Sequence, residues 1–282
     1  MKTIQEALLL SSEFLSKKGI TNPRREAEEI LSEGLGLKRL DLYLSYDRPV
    51  MDIELEKCRV LLARRGKGEP IQYIRGSVDF FGCELLVTPS VLIPRQETEI
   101  LVDLAAKFLK TQDLDGKILW DVCCGSGCIG LALKKKFPKL QVFLSDQSSS
   151  ALSVAKENAE KNQLEVHFLE GDLLSPFQNQ KCDFFVCNPP YISEDEFSTL
   201  QREVKDFEPK EALIAPNEGL GFYQRIATDL RNYINPKGRG WLEIGHQQGK
   251  AVNKIFTEAG WTHCNVEKDW AGHDRFFSLE NE

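Results

Sequence analysis

Beyond Pro94 the chain alternates short apolar runs with longer stretches of helical pattern, and this alternation constrains the fold more than any other feature. The runs at 118–122, 141–145, 166–169, 184–187 and 241–244 have the length and the aliphatic and aromatic content of buried strands. Helical stretches lie near 97–110, 128–137, 149–162 and 219–234. Strands that alternate with helices predict a parallel sheet covered on both faces, because each parallel neighbour is reached by a crossover that packs back on the sheet. The end of the chain differs. Runs at 262–266 and 275–279 are joined by a turn too short for a helix, so they predict an antiparallel hairpin at one sheet edge. The expected class is α/β.

The first part of the chain reads as helices. Ile4, Leu8, Leu9 and Leu15 recur near helical spacing. Asn22-Pro23 has the form of an N-cap followed by proline at the first helical position, with Ile30, Leu31, Leu35 and Leu37 as the apolar face. Asp52 is expected to cap a further helix that buries Leu55, Val60, Leu61 and Leu62, and Gly66-Lys67-Gly68-Glu69-Pro70 breaks it. Residues 78–87 read as a hairpin about Gly82. The expected organisation is a helical domain over 1–68 that recognises a partner, a linker with a hairpin over 69–93, and the α/β domain over 94–282.

Composition narrows the function. No apolar run approaches the roughly 20 residues that cross a bilayer, and the N-terminus lacks a signal-peptide core, so a cytoplasmic protein is expected. Net charge is −7, divided as +1 over residues 1–70 and −8 over the remainder. An acidic α/β part argues against direct nucleic-acid binding, whose affinity comes largely from neutralised phosphates. None of the eight cysteines is spaced Cys-x-x-Cys. Most lie in apolar stretches and are expected to be reduced core residues; no metal is expected.

Chemistry is concentrated at predicted strand ends. Asp121-Val122-Cys123-Cys124-Gly125-Ser126-Gly127-Cys128 closes the first core strand and enters a helix. Glycines there let backbone approach a ligand, and a helix N-terminus offers unpaired N–H groups. Asp146 ends the next strand, where a carboxylate accepts from ribose hydroxyls. Gly171-Asp172 ends the third; its carboxylate is an acceptor for an adenine amino group, and Leu173 can cover the ring. Alone, each acid is equally well a solvated strand end or a helix cap. Their recurrence at successive strand ends favours a nucleotide-bearing site, because open α/β sheets bind ligands there. Asn188-Pro189-Pro190-Tyr191 ends the fourth strand. Its prolines remove two N–H donors, so the stretch presents acceptors. Asn188 and Pro189 oxygens can grip the two hydrogens of a planar –NH2 group, and the Tyr191 face can stack on the substrate and attract developing positive charge. In isolation the same four residues make a good turn.

Together these residues resemble those of the class I S-adenosylmethionine methyltransferases, and more narrowly the release-factor glutamine N5-methyltransferases (HemK/PrmC). The resemblance spans nearly the whole chain. It is carried by Gly68–Ile74, Phe81–Leu85, Ile93-Pro94-Arg95-Gln96-Glu97-Thr98-Glu99, Asn188–Ile192, Glu208-Pro209 with Ala212-Leu213, and Asp269–Arg275. It implies a Rossmann-like methyltransferase sheet preceded by a small helical domain. It implies S-adenosyl-L-methionine as cofactor, leaving as S-adenosyl-L-homocysteine, in contact with Cys123, Cys124, Gly125, Ser126, Gly127, Asp146, Leu173 and Asn188, beside the Asp172 already singled out. The substrate it implies is the glutamine of the Gly-Gly-Gln motif in class I peptide-chain release factors, which places the chain in translation termination. Asn188, Pro189, Pro190 and Tyr191 would hold that glutamine, with Asn188, Pro189 and Tyr191 as the catalytic set. Arg95, Glu97 and Thr98 would close the site. A monomer is expected.

Three departures bear on this expectation. Cys123 stands where the family has a glycine, and its side chain is expected to impose negative φ. Leu173 replaces a common aromatic. Ala215-Pro216-Asn217 occupies a loop that often carries glycines. Adenine-N6 methyltransferases share Asn188–Tyr191 but not the Pro94–Glu99 stretch, and the charge balance disfavours them. A nicotinamide-dependent oxidoreductase is poorly supported by the incomplete glycine pattern. A non-catalytic cofactor-binding protein that docks a release factor is the remaining alternative, invited only by Cys123.

Overall fold

The computed structural model describes residues 2–282 and contains two compact units, Met1–Gly76 with Gln201–Phe207, and Ser77–Leu200 with Glu208–Glu282. In the first unit, helix α1 (Ile4–Lys17) opens with a capping box. The Thr3 hydroxyl accepts from the Glu6 N–H while the Glu6 carboxylate accepts from the Thr3 N–H. Its inner face carries Ile4, Leu8 and Leu15; Leu9 points outward and is 55% exposed. Helix α2 (Pro23–Leu35) begins at its proline, as the sequence suggests, but the Asn22 side chain makes no capping bond. Helix α3 (Arg39–Leu44) follows.

Helix α4 (Asp52–Gly66) departs from expectation at its start. Met51 is the N-cap and Glu54 reaches back to the Met51 N–H at 2.9 Å, so Asp52 lies inside the helix and is not its cap. The buried face also differs: Val60 is exposed, Leu55, Leu61 and Leu62 are partly buried, and Cys58 and Arg65 are buried. The close approach of α2 to α4 explains the face. A Cβ on Gly34 would fall 2.5 Å from Cys58 Sγ, so the helices meet at these two residues. The buried Arg65 is bracketed by Glu26 and by Glu203, 2.6 Å away on the short helix within the Gln201–Phe207 segment. Helix α5 (Ile71–Arg75) ends this part of the unit.

The second unit starts with an antiparallel hairpin, β1 (Ser77–Phe80) and β2 (Cys83–Leu86), turned by Phe81 and Gly82 at positive φ. The Glu99 carboxylate accepts from the Phe81 N–H and fixes this turn to α6 (Gln96–Leu109). Strand β3 (Ile118–Val122), α7 (Cys128–Lys136), β4 (Gln141–Asp146), α8 (Ser149–Lys161), β5 (His167–Glu170) and β6 (Cys182–Cys187) follow in order. After α9 (Glu194–Thr199) and α10 (Arg202–Phe207, of the first unit) come α11 (Gly221–Asp229), β7 (Ile234–Glu243), α12 (Gly249–Glu258), β8 (His263–Lys268) and β9 (Asp274–Glu280).

The seven-stranded sheet has the order β5-β4-β3-β6-β7-β9-β8. Strands β3 to β7 run parallel, and β9 enters antiparallel between β7 and β8, which makes β8 the edge. This is the expected sheet with its C-terminal hairpin. Alternation along each strand builds two cores. Leu119 faces the cluster formed with α6, α7 and α8, while Trp120 and Val122 face the cluster formed with α11 and α12. Helix α12 is not among the expected helices; its Val252 and Phe256 close the second core.

Candidate active site

The chain winds from β3 outward to β5 and then returns to the other side of β3 as β6, so the strand order reverses between β3 and β6. A crevice outside the carboxyl ends of the strands is expected at such a point. A cavity of about 580 Å³ opens there. Cys123, Cys124, Gly125, Ser126, Asp146, Asp172, Leu173, Asn188, Pro190, Arg95 and Thr98 all stand in its wall. Gly127, Glu97, Pro189 and Tyr191 do not.

The loop after β3 has an unusual backbone. Cys123, Gly125 and Gly127 sit at φ 57°, 54° and 78°. An added Cβ at Gly125 would meet nothing within 4 Å, so the backbone faces open space. Gly127 is the N-cap of α7 and has a structural part. Asp146 holds the loop: its carboxylate accepts from the Gly125 N–H and the Ser148 N–H, each at 2.9 Å. A carboxylate has about four acceptor positions, so two remain for hydroxyl donors. Asn158, fully buried on α8, ties the loop to the hairpin. Its amide donates to the Ser126 and Leu86 carbonyls, and its oxygen accepts from the Leu86 N–H.

Cys123 corrects one expectation. Its side chain does not impose negative φ; the residue takes the left-handed conformation that a glycine would take. That conformation costs about 1–2 kcal/mol for a residue with a Cβ. Burial, and then contact with Cys123, pushes the Cys187 thiol well above its usual range. Replacing Cys123 with glycine relieves the strain at a cost of about 0.5–1 kcal/mol in added unfolded-state entropy. We therefore expect Cys123→Gly to raise stability by about 0.5–1 kcal/mol. An unchanged or lower urea midpoint in the variant would contradict this.

Asp172 is engaged by a partner the sequence did not suggest. Arg225 on α11 grips both its oxygens, at 3.1 and 2.6 Å. Leu173 beside it is buried at φ 48°. Glu208, next to Pro209 of the cavity wall, is nearly inaccessible, accepts from the Ile93 N–H and pairs with Arg95. This fixes the Ile93–Arg95 stretch that leads into α6.

Asn188 to Tyr191 leave β6, a central strand paired on both sides. Tyr191 is not part of the cavity wall. Its hydroxyl donates to Glu243 at 3.2 Å, and its carbonyl accepts from Gln248 Nε2 at 2.9 Å. Gly219, at φ 85°, lies so close that a Cβ there would fall 2.2 Å from the Tyr191 carbonyl oxygen. Glu243 at the end of β7 is buried and also accepts from the Thr98 hydroxyl at 2.7 Å. It thus links the start of α6 to the Asn188–Tyr191 turn. The residue after the turn, Ile192, exchanges backbone hydrogen bonds with Leu213 and Ala215, which anchors the Ala215–Asn217 loop.

Three carboxyl groups are pushed up by burial: Asp146 in the cavity wall, and Asp121 and Glu243 outside it. Asp121 reaches about 7; one oxygen accepts from the Gly130 N–H at 2.7 Å and the other has no partner among the described residues. An acid whose folded pKa is raised holds its proton in the native state after the unfolded chain has lost it. Its contribution to stability is complete below the unfolded value of about 4 and is lost as pH rises towards 7. Stability should therefore fall across pH 4–7, and Asp121→Asn should flatten that slope. Urea unfolding at several pH values checks it; an equal slope in the variant would assign the effect elsewhere.

Sequence reasoning missed Glu243, Asn158 and Arg225, and it left Glu208 without a role. Glu208 had a local signal in Glu208-Pro209, whereas Arg225 had none.

Among known proteins, residues 97–206 match the family described as methyltransferase small domain, and residues 6–76 match the PrmC N-terminal domain. A release factor glutamine methyltransferase of Geobacter sulfurreducens is 41% identical over 97% of this chain and 95% of its own length. One from Chlamydia trachomatis serovar L2 is 44% identical over 99% of this chain and 94% of its own. A solved methyltransferase from Pyrococcus furiosus, 15% identical, shares the fold with a TM-score of 0.53 over 80% of this chain and 97% of that one. Near-full-length identity of this order places the whole chain, helical part included, within one group: it belongs to the release factor glutamine methyltransferases.

Proposed function

We propose that this chain methylates the side-chain amide nitrogen of the glutamine in the Gly-Gly-Gln motif of class I peptide-chain release factors, with S-adenosyl-L-methionine as methyl donor. The carrying observation is the turn at the end of a central strand whose Asn188 and Pro190 stand in the cavity wall, on either side of Pro189. The cavity suits the cofactor: Gly125 leaves backbone open to a ligand, Asp146 has spare acceptor positions, and Asn188 stands in the same wall. When bound, the cofactor supplies an electrophilic methyl group on a sulfonium.

The protein's own contribution is positioning. An amide nitrogen is a poor nucleophile because its lone pair is delocalised. In this reading the Asn188 side-chain oxygen and the Pro189 carbonyl accept its two hydrogens and turn the lone pair towards the methyl group. Well-oriented reactants gain on the order of 7–11 kcal/mol over a bimolecular reference. Both acceptors strengthen as the nitrogen becomes positive, so they favour the transition state over the ground state. The methylated amide then loses an acidic proton, and no strong base is required. Tyr191, held by Glu243 and Gln248, keeps the turn rigid. Residues 1–68 are proposed to recognise the release factor.

The test is a tritiated-methyl transfer assay. Intact release factor should become labelled, its Gly-Gly-Gln→Gly-Gly-Ala variant should not, and adenine-containing DNA and RNA should remain unlabelled. Label on the nucleic acid alone would overturn the reading.

A further inference from the structure

The chain has four tryptophans. Trp120, Trp241 and Trp261 are buried, whereas Trp270 is 89% exposed. It lies in the turn between β8 and β9, and strand register says where that turn sits. Strand β9 runs antiparallel to β7, with Phe276 opposite Glu243 and the Arg275 carbonyl accepting from the Ile244 N–H. The turn therefore lies at the end of the sheet where β7 finishes, the end that carries the cavity.

The turn is rigid. The Asp269 carboxylate accepts from the Ala271 and His273 N–H groups, each at 2.9 Å. The Asp269 N–H donates to the His273 carbonyl, and the Gly272 N–H, at φ 84°, donates to the Asp269 carbonyl. Its His273 also approaches the segment that supports the Asn188–Tyr191 turn. Gln248, which holds the Tyr191 carbonyl, fixes the Gly245 N–H, and the neighbouring His246 ring lies 6.0 Å from the His273 ring. An indole kept in water on a preorganised turn is the form of an interface anchor: a large apolar group whose backbone is already ordered. Trp270 is outside the cavity wall, so its occupant lies beyond the cofactor pocket.

We infer that Trp270 is a docking anchor for the glutamine-bearing protein, entering an apolar pocket on its surface beside the target loop. This rests on the proposed release-factor reading. Trp270→Ala should lower kcat/KM on intact release factor by about tenfold or more, through KM, with kcat nearly unchanged; Trp270→Phe should restore most of the loss. Enzyme labelled with 5-fluorotryptophan gives an independent readout. On adding unlabelled release factor, the ¹⁹F resonance assigned by Trp270→Phe should move while those of the buried tryptophans stay. A wild-type KM in Trp270→Ala, or a resonance that moves with enzyme concentration alone and so reports a second copy, would overturn the anchor. If the wild-type enzyme labels no release factor, the functional reading fails and takes the anchor with it; wild-type labelling with an undiminished alanine variant removes the anchor only.

Discussion

Replacing Asn188 with alanine is expected to lower the rate of methyl transfer by roughly 10²–10³, the loss typical of removing one electrostatic stabiliser from a preorganised site. The structure makes this a test of chemistry, not of folding. Asn188 follows Cys187, the last residue of a strand with paired neighbours on both sides, and Ile192 beyond it is bonded to Leu213 and Ala215. The backbone of the turn is therefore held without the Asn188 side chain. Single-turnover rates at saturating cofactor separate the lost stabilisation from any lost cofactor contact. A single-turnover rate within a factor of two of wild type would sink the role given to this side chain.

Arg65→Met is expected to have the largest effect on stability, about 3 kcal/mol. The guanidinium is 2% exposed and balances two carboxylates, Glu26 and Glu203. Methionine fills the volume but strands both acids. The cost falls at the low end for a broken buried pair because Glu203 is 39% exposed and regains water. Urea denaturation of the whole chain, followed by far-ultraviolet circular dichroism, should show an early transition confined to part of the helical signal. The double variant Arg65→Met with Glu26→Gln should recover part of the loss, because one stranded charge is then gone. Wild-type midpoints in the single variant would show that the cluster contributes nothing net.

The parallel sheet was legible because each strand is a local apolar run and each crossover a local helical pattern. The Asn188–Tyr191 turn was legible for the same reason: proline and strand end are adjacent in the chain. Features that depend on distant partners were not. In Trp241-Leu242-Glu243-Ile244 the glutamate reads as an outward polar residue; its burial depends on Thr98, 145 residues away. Arg65 reads as one of two exposed arginines at a helix end until Glu203 is seen beside it. The Tyr191 hydroxyl bond to Glu243, 52 residues away, has no local signal either. The positive φ of Cys123 is not legible locally because a side chain normally excludes it; here the Cys124 N–H bond to the Ser145 carbonyl and the Gly125 N–H bond to Asp146 hold the following backbone in place.

The pairing of Arg65 with Glu203 also sets an order of events during synthesis. The two residues are 138 positions apart, so Arg65 leaves the ribosome long before its second carboxylate is made. At about 5–20 residues per second the interval is roughly 7–28 s. Through that time the nascent helical unit holds a cation with one of its two acids, and it lacks one helix while most of the methyltransferase sheet is being extruded. A chain halted anywhere between residues 76 and 201 would carry this unit incomplete, which makes the short Gln201–Phe207 segment the late-arriving piece that closes the first unit.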